Sequence, residues 1–378
     1  MQPQVSLIDT PAALAPHTRA WDALAVAAGR PYCAPAWMLS WWRHAAPSGA
    51  VLRTVVVAED DELVAIAPFF AARSPIGPVY RLLGSAIAPR IEPLAQEGRE
   101  ELAAAAFARA LAAARPRPAA VSFSELSPGS PWPGLLSRLW PGREPRTVEE
   151  GSVACPTIRL EGRDYDAYMA SLQSKRRGKL RRDRRHLDEQ GARYLLLQEP
   201  HELRPGLAEF ARLHYDRWDP RGGSGALSPG VERMLMEAAD ELGPAGRFRL
   251  FAIELDGRTI SSQLFVAAGG EVAYWLGGFD PALARHGPGN QAVVAAIADA
   301  FERGERRLDL GPGAQEYKQR LADGEDVLES VTLVTGRGRY QLARALQLGR
   351  AARERLSERL PEGVKHPLRS MRNRSNLK

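Results

Sequence analysis

The segment from Arg285 to Asn290 (RHGPGN) contains the residue types that bind an anion through the protein backbone. It joins a predicted strand to a predicted helix, and its glycines allow the backbone to approach a ligand closely. Pro288 suits the first turn of a helix, where unpaired N–H groups and the helix dipole attract negative charge. We predict a pyrophosphate site here, and the alternative is a helix start without a ligand. The residues assigned to this site are Arg285, His286, Gly287, Gly289 and Asn290.

A double glycine, Gly277-Gly278, interrupts the strand that precedes this segment. Glycine inside a strand is typical of a β-bulge or of a close approach by another backbone or a ligand. We therefore predict that both glycines border the same cofactor. Strand alternation further predicts that Gln263 and Trp275 face a substrate.

The candidates for acid–base chemistry follow a short predicted strand that ends near Asp309. Glu316-Tyr317-Lys318 comes next, followed by Arg320. A carboxylate can orient or deprotonate a nucleophile, so Asp309 and Glu316 are candidate bases, and Tyr317 is a candidate proton donor to a leaving group. Lys318 and Arg320 would bind an anionic substrate. The structural alternatives are a strand-end cap for Asp309, a half-buried aromatic for Tyr317 and ordinary surface cations for the last two.

The elements that position these residues are predicted in the same order in both halves of the chain. Each half has a hairpin of two strands rich in β-branched and aromatic residues, a third strand, a helix and a further strand. Asp256-Gly257 is a typical two-residue hairpin turn in the second half. The second-half strands are predicted at 248–255, 259–267, 271–279 and 307–310, with the helix at 288–303.

These features together resemble the GNAT acyltransferase superfamily. In that fold a bulged strand splays from its neighbour, an acyl-thioester arm lies between them, and the pyrophosphate sits on the following helix. The corresponding segments here are 271–279, 307–310 and 287–303. The usual motif of the superfamily is Gln/Arg-x-x-Gly-x-Gly/Ala, and Arg285 lies one residue closer to Gly287 than this motif requires.

Residues 277–322 are most similar to the acetyltransferase domain of bacterial cellulose-biosynthesis (CelD-type) proteins, and a looser likeness covers about residues 20–335. The matching features are the Gly-Pro-Gly helix start, the Leu-Asp-Leu strand, the Glu316–Lys318 segment and the basic helix at Ser174–Arg177. A tandem pair of such domains is also similar to the FemAB-type aminoacyl-tRNA-dependent ligases.

The resemblance implies an α/β protein with an α+β mixed sheet in each of two tandem GNAT-like domains. It implies transfer of an acetyl or longer acyl group to an amine or hydroxyl of a small molecule or a saccharide precursor. The donor would be acetyl-CoA or another acyl-CoA, or an acyl-carrier protein, and no metal is expected. Two functions stay open beside this one: an aminoacyl-tRNA-dependent ligase, and a non-catalytic scaffold that binds a partner or a membrane surface.

Charge is distributed unevenly along the chain. The net charge is +6, but residues 175–185 carry +7 and residues 338–378 carry +8, which leaves −9 for the remainder. This pattern argues against a uniformly basic nucleic-acid groove. It allows local attraction to a phosphorylated cofactor, to RNA or to an anionic membrane surface, and the alternative is a solvated helix and a solvated tail.

The predicted domains are a first GNAT-like domain over 1–150 and a second over 151–336 that includes a basic connecting helix at 164–191. A basic amphipathic tail follows at 337–378. Cys33 and Cys155 are too few for a disulfide scaffold or a structural zinc site. With no signal-peptide pattern at the start, we expect a cytoplasmic protein that contacts the inner membrane face through its tail.

Overall fold

Runs of β-branched and aromatic residues form the strands of two α/β units in the computed structural model, which describes residues 3–219, 223, 225–313 and 315–359. Residues 360–378, the end of the predicted tail, lie outside the described residues. The first unit comprises Met1–Ala154 and Asp326–Arg359, and the second comprises Cys155–Glu325. Each unit has a mixed sheet with helices packed on it, so the predicted fold class is confirmed.

The first unit contains eight strands and six helices within its described residues, apart from short 3₁₀ turns. In chain order they are β1 (Gln4–Ile8), α1 (Pro11–Leu14), α2 (Thr18–Ala27), α3 (Pro35–Ala45), β2 (Val51–Glu59), β3 (Glu62–Ala72), β4 (Val79–Leu82), β5 (Leu94–Ala95), α4 (Glu100–Ala113), β6 (Ala120–Leu126), α5 (Trp132–Arg138) and β7 (Arg146–Arg159), and later β13 (Gly324–Val334) and α12 (Arg337–Arg359). The last residues of β7 and the first two of β13 belong to the second unit.

The sheet of the first unit has the order β1-β2-β3-β4-β6-β13-β7. Strand β4 is parallel to β6, and β13 is antiparallel to β6, with Val331 opposite Phe123 and Leu333 opposite Val121. The division differs from the predicted domains because 326–336 was expected in the second one. Strand β13 instead pairs with β6 of the first unit and packs its apolar residues there. Because β6 and β13 are far apart in the chain, local sequence patterns do not reveal this pairing.

The second unit contains the predicted functional residues. Its other elements are α6 (Tyr165–Ser171), α7 (Ser174–Glu189), β8 (Arg193–Leu197), α8 (Pro200–Trp218), α9 (Pro229–Leu242), β9 (Phe248–Leu255), β10 (Arg258–Ala268), β11 (Glu271–Phe279), α10 (Pro288–Glu302), β12 (Arg307–Asp309) and α11 (Glu316–Leu321). The 3₁₀ turn Pro281–His286 lies between β11 and α10.

The sheet of the second unit has the order β7-β12-β11-β10-β9-β8, with only the end of β7 taking part. Strands β9 and β10 form the hairpin predicted at Asp256-Gly257, where both residues have positive φ, as a type I′ turn requires. Strands β11 and β12 are parallel neighbours, and α10 forms the connection between them.

Helix α10 packs an apolar face against this sheet. Val293 and Ile297 are buried with Leu308 of β12, and Phe301 lies 5.7 Å from the ring of Tyr168 in α6. Helix α7 buries a face as well, although its sequence is dominated by basic residues. The buried residues of α7 are Arg176, Leu180, Asp183 and Leu187. Among the helices of the described residues, none combines the length and apolar character that a membrane span requires.

Candidate active site

Strands β11 and β12 are paired only at their beginnings. Three residue pairs join them, from Glu271 opposite Arg307 to Ala273 opposite Asp309, and β11 then continues for six residues while β12 ends. Gly311, with φ of +76°, turns the chain at this point, in a conformation that favours glycine. Strand β12 therefore ends beside Ala273 while β11 continues, and we call the side of Tyr274–Phe279 beyond this end of β12 the strand gap.

A β-bulge lies on β11 at the strand gap, but its position differs from the prediction. Leu264 of β10 is opposite Leu276, whereas the next residue, Phe265, is opposite Tyr274, so Trp275 is the extra residue. The bulge thus falls two residues before Gly277-Gly278. Trp275 is half-buried, and its ring lies 6.3 Å from the ring of Phe210 in α8.

The double glycine accommodates the protein's own atoms, whereas its assignment to cofactor binding stays a prediction. A Cβ on Gly277 would lie 1.7 Å from Oε1 of Gln263. A Cβ on Gly278 would lie 2.8 Å from the backbone nitrogen of His214 in α8. The close approaches predicted from the two glycines are confirmed. The side chain of Gln263 in β10 lies against Gly277, and the backbone of α8 lies against Gly278.

Gln263 does not face a substrate, because its buried amide is used inside the protein. Its Nε2 donates to Oγ of Ser261 at 3.1 Å and to the carbonyl of Gly278 at 3.0 Å. Its Oε1 accepts the hydroxyl of Tyr274 at 2.9 Å. This network fixes the side of β11 that faces β10, and the prediction for Gln263 is corrected accordingly.

Asp309 ends β12 as predicted, at the place where the strands part. It is only 3% exposed. Its Oδ1 accepts the N–H of Gly311 at 2.6 Å and the thiol of Cys155 at 2.9 Å. These contacts match the strand-end cap that we considered as the alternative to a base.

Lys318 is buried beside Asp309, so it is not the ordinary surface cation that we considered as the alternative, and its assignment to an anionic substrate stays a prediction. Its Nζ donates to the carbonyls of Gly311 at 3.1 Å and Pro312 at 3.0 Å. Burial lowers the pKa of Lys318 to about 8, while the neighbouring Cys155 and Asp309 act in the opposite direction. Lys318 therefore holds the turn that separates β12 from β11.

The other candidates of α11 lie on two different sides of that helix. Tyr317 is half-buried, and burial raises its pKa, an effect opposed by a hydrogen bond with Tyr274 and by the charge of Arg217. Glu316 and Arg320 are exposed and form an ion pair with each other. Tyr317 thus lies next to β11, whereas Glu316 is on the outer side, so the structure does not bring Glu316 together with Asp309.

The start of α10 has the predicted backbone but an unexpected neighbour. Gly287 caps the helix with φ of +60°, and a Cβ there would lie 3.3 Å from Oδ2 of Asp183. A Cβ on Gly289 would lie 3.0 Å from the ring of Phe279, and Asn290 is half-buried near Gly287. The helix dipole favours the carboxylate of Asp183 at this position, and that carboxylate repels a second anion.

Arg285 and His286 form a cluster outside the strand gap. Nε of Arg285 donates to Nε2 of His286 at 2.8 Å, and the His286 ring stacks on His186 of α7 at 4.0 Å. Partial burial lowers the pKa of His286, with further lowering from the charges of His186 and Arg285. Their assignment to pyrophosphate binding stays a prediction.

A cleft of about 800 Å³ opens between α7 and α11, and we call it the basic cleft. Five of its side chains are basic and one is acidic. The charged residues are Lys175, Arg176, Lys179, Arg182, Arg320 and Glu316. Of the residues predicted as site residues, the cleft contains only Glu316 and Arg320.

The basic residues of α7 were predicted to attract an anionic partner, but none of them was named as a site residue. A signal was present, because Arg176 is spaced four residues before Leu180 and eleven before Leu187. This helical spacing places Arg176 on the apolar face of α7, where a basic residue requires a partner.

The described residues contain no group of three or more His, Cys, Asp or Glu side chains arranged to hold a metal ion. The groups that the structure places beside the strand gap are the buried Lys318 and the side chains of Tyr274 and Tyr317, and the basic cleft lies on the other side of α11.

Comparisons with known proteins agree with this geometry. Residues 174–319 match the family model described as an acetyltransferase (GNAT) domain. A search of the curated proteins finds no match to the chain. The matched segment runs from the start of α7 into α11, so it includes both the strand gap and most of the basic cleft.

Several solved structures are similar to this chain at low sequence identity. FemX is 14% identical over 90% of this chain and 99% of its own, with a TM-score of 0.63. A conserved protein of unknown function from Bacteroides thetaiotaomicron is 13% identical over 88% of this chain and 100% of its own, with a TM-score of 0.55. A tandem GNAT protein from the clavulanic acid biosynthesis pathway is 14% identical over 88% and 99%, with a TM-score of 0.46.

The family match and the parted strands point to the same part of the chain, and the FemX likeness extends over both units. Residues 174–319 are therefore similar to a GNAT acetyltransferase domain, and they lie within a two-unit α/β fold that is similar to that of FemX.

Proposed function

We propose that this protein transfers an acyl group from a thioester donor to an amine or hydroxyl of a small molecule or saccharide precursor. The observation that carries the proposal is the strand gap, where β11 continues past its last pair with β12. An extended donor arm can lie along β11 beyond the end of β12, because backbone groups of β11 can hydrogen-bond its amides. The bulge at Trp275 reorients the strand edge at the same point.

The reaction needs few groups from the protein. The acceptor nitrogen or oxygen attacks the thioester carbonyl, its bond to the acyl carbon forms, and the carbon–sulfur bond breaks. The acceptor loses a proton, and the departing thiolate gains one. Tyr317 is our candidate for the second proton transfer, because it lies next to Tyr274 of β11. Asp309 remains the candidate for the first, because Glu316 lies on the outer side of α11.

The test measures free thiol released from acetyl-CoA and from longer acyl-CoAs in the presence of a panel of amines and amino sugars, with mass spectrometry of the acylated acceptor. The variant Tyr317→Phe removes the proposed proton donor and should lower kcat about 10²-fold with little change in KM. Tyr165→Phe is the matched control in the same unit. Thiol release that never exceeds the enzyme-free rate with any donor would overturn the proposal.

A second candidate is transfer of an aminoacyl group from tRNA, because the basic residues of α7 suit a phosphodiester backbone. The two candidates differ in their donor, so charged tRNA and acyl-CoA are supplied in parallel to the same acceptors. Product formed only with charged tRNA, at a rate that falls steeply with salt, would favour the second candidate.

A further inference from the structure

Arg176 is a buried cation whose hydrogen-bonding groups are incompletely used. Its side chain belongs to a residue that is only 8% exposed, and it lines the basic cleft. Within the described part of the chain, its Nε and Nη2 atoms have no hydrogen-bond partner. Buried polar groups are nearly always paired, so two orphan N–H groups on one guanidinium require an explanation.

The surroundings of Arg176 add positive charge and do not neutralise it. The basic cleft contains four further basic side chains against the single carboxylate of Glu316, which is paired with Arg320. Burial and the charge of Arg320 both lower the pKa of Arg176, whereas Tyr168 and Asp183 act in the opposite direction. Repulsion among cations is relieved when an anion binds, and a guanidinium holds a phosphate in a bidentate manner.

The start of α10 is a poorer place for that anion. Asp183, which is 7% exposed, brings its carboxylate to Gly287, and Lys179 is its ion-pair partner at 2.5 Å. A phosphate at this helix terminus would face a buried negative charge. The same helix α7 thus presents the carboxylate of Asp183 to α10, while Arg176, whose Nε and Nη2 are buried without a partner, is one of the residues that line the basic cleft.

The basic cleft and the strand gap are separated by one helix. On α11, Lys318 and Tyr317 contact the turn and the strand beside the gap, while Glu316, Gln319 and Arg320 line the cleft. An α-helix with its side chains is about 10 Å across, which a flexible donor arm can span. A donor can therefore have its reactive end in the gap and its phosphates in the cleft.

We propose that the basic cleft, through Arg176, binds the phosphate groups of a phosphorylated acyl donor, at a site distinct from the start of α10. This inference rests on the proposed function. The ligand chemistry is a pyrophosphate or phosphomonoester, and coenzyme A and inorganic pyrophosphate are the two probes. A donor should bind more tightly than pyrophosphate alone, because its arm also occupies the strand gap.

The first experiment compares Arg176→Met with Arg181→Met, a control on the exposed side of α7 that removes the same charge. Without ligand, Arg176→Met should leave Tm unchanged or raise it, because it removes an uncompensated buried charge. Coenzyme A should raise the Tm of the wild type and of Arg181→Met, but not that of Arg176→Met. A ligand-free Arg176→Met protein much less stable than Arg181→Met would overturn the proposal, because the guanidinium would then have partners inside the protein.

The second experiment measures binding of both probes by calorimetry at two salt concentrations. The exposed cleft residue Arg182 is changed to Gln, which leaves the buried face of α7 intact. Arg182→Gln should weaken coenzyme A about tenfold, and Arg176→Met should weaken it further. Equal affinities in the wild type and both variants would overturn the proposal. Pyrophosphate that binds as tightly as coenzyme A would assign the cleft to free phosphates and would overturn the donor as its ligand.

Failure of this inference is distinguishable from failure of the proposed function. Acyl transfer with an unchanged KM for the donor in Arg176→Met would remove the cleft assignment and leave the function. Coenzyme A binding that depends on Arg176, without transfer to any acceptor, would remove the function and leave the cleft as a phosphate site.

Discussion

Oδ1 of Asp309 accepts two hydrogen bonds, one of 2.9 Å from the thiol of Cys155 and one of 2.6 Å from the N–H of Gly311. Cys155 lies in β7, and Gly311 begins the turn that follows β12. One buried carboxylate oxygen therefore ties the end of β12 to a neighbouring strand and to the turn that opens the strand gap. Asp309 can fix this turn or accept a proton, and these two roles predict different effects of substitution.

Asp309→Ala should destabilise the protein by about 2–4 kcal/mol, because it leaves two buried donors unsatisfied and removes a charge near Lys318. Asp309→Asn keeps an acceptor oxygen for the N–H of Gly311, so it should lower the free energy of unfolding by a smaller amount. Urea unfolding measures both, and Asp309→Asn in the transfer assay tests the base. A stable Asp309→Asn protein with full turnover would leave Asp309 a purely structural residue.

Lys318 should make stability rise in alkaline solution. Its folded-state pKa of about 8 is below the value of about 10.4 for an exposed lysine. Between these values the folded chain has released the proton that the unfolded chain still holds, so rising pH favours folding by up to about 3 kcal/mol. Below pH 8 this gain is absent, because both states are protonated.

The variant Lys318→Met lacks this titration. The difference in unfolding free energy between wild type and Lys318→Met should therefore change in favour of the wild type from pH 8 to pH 10, as measured by denaturant unfolding. Two parallel stability curves over this range would contradict the assigned environment of Lys318.

Gly277→Ala should destabilise the second unit, because its Cβ would displace the amide of Gln263 and break three hydrogen bonds. We expect a loss of about 2–4 kcal/mol. Gly134→Ala, in α5 where a Cβ meets no atom within 4 Å, is the control and should be neutral or slightly stabilising.

The double variant Gln263→Ala with Gly277→Ala separates the steric effect from any other effect of the new methyl group. Once the amide is gone, Gly277→Ala should cost much less than in the wild type, giving a coupling energy of about 1–3 kcal/mol. Additive effects of the two changes would show that Gln263 is not what restricts this position.

Asp183→Asn should lower stability by about 1 kcal/mol, because the carboxylate interacts with the dipole at the start of α10 and with Lys179. Asp188→Asn, which also removes an i,i+4 ion pair on α7 but is exposed, should cost about 0.5 kcal/mol or less. Thermal unfolding compares the two. An equal loss in both variants would argue against an interaction of Asp183 with α10.

Local sequence signals predicted much of the second unit. The hairpin at Asp256-Gly257, the strand over 271–279 and the helix start at Pro288 follow from turn residues, side-chain alternation and helix-terminus preferences. The parting of β11 from β12 followed from the resemblance. These features depend on residues close together in the chain, which is why the sequence reveals them.

Other features depend on contacts between residues that are distant in the chain, and they were not predicted from the sequence. The glycines at 277 and 278 indicated a close approach, but only the folded chain shows that Gln263 and α8 provide it. Residues 175–185 are mostly basic, and this composition hides the helical spacing with Leu180 and Leu187 that buries Arg176. For Lys318, nothing nearby in sequence distinguishes a buried ammonium from an exposed one.

The position of β13 in the first unit has a consequence for biosynthesis. Its paired residues, 329–334, lie between β6 and β7 in the sheet. They are nevertheless synthesised after Cys155–Glu325 of the second unit. The nascent amino-terminal unit therefore lacks one strand of its sheet until residues 329–334 have been synthesised. During that interval β6 exposes backbone groups to other chains, so we expect this half to depend on chaperones more than the uninterrupted second half does.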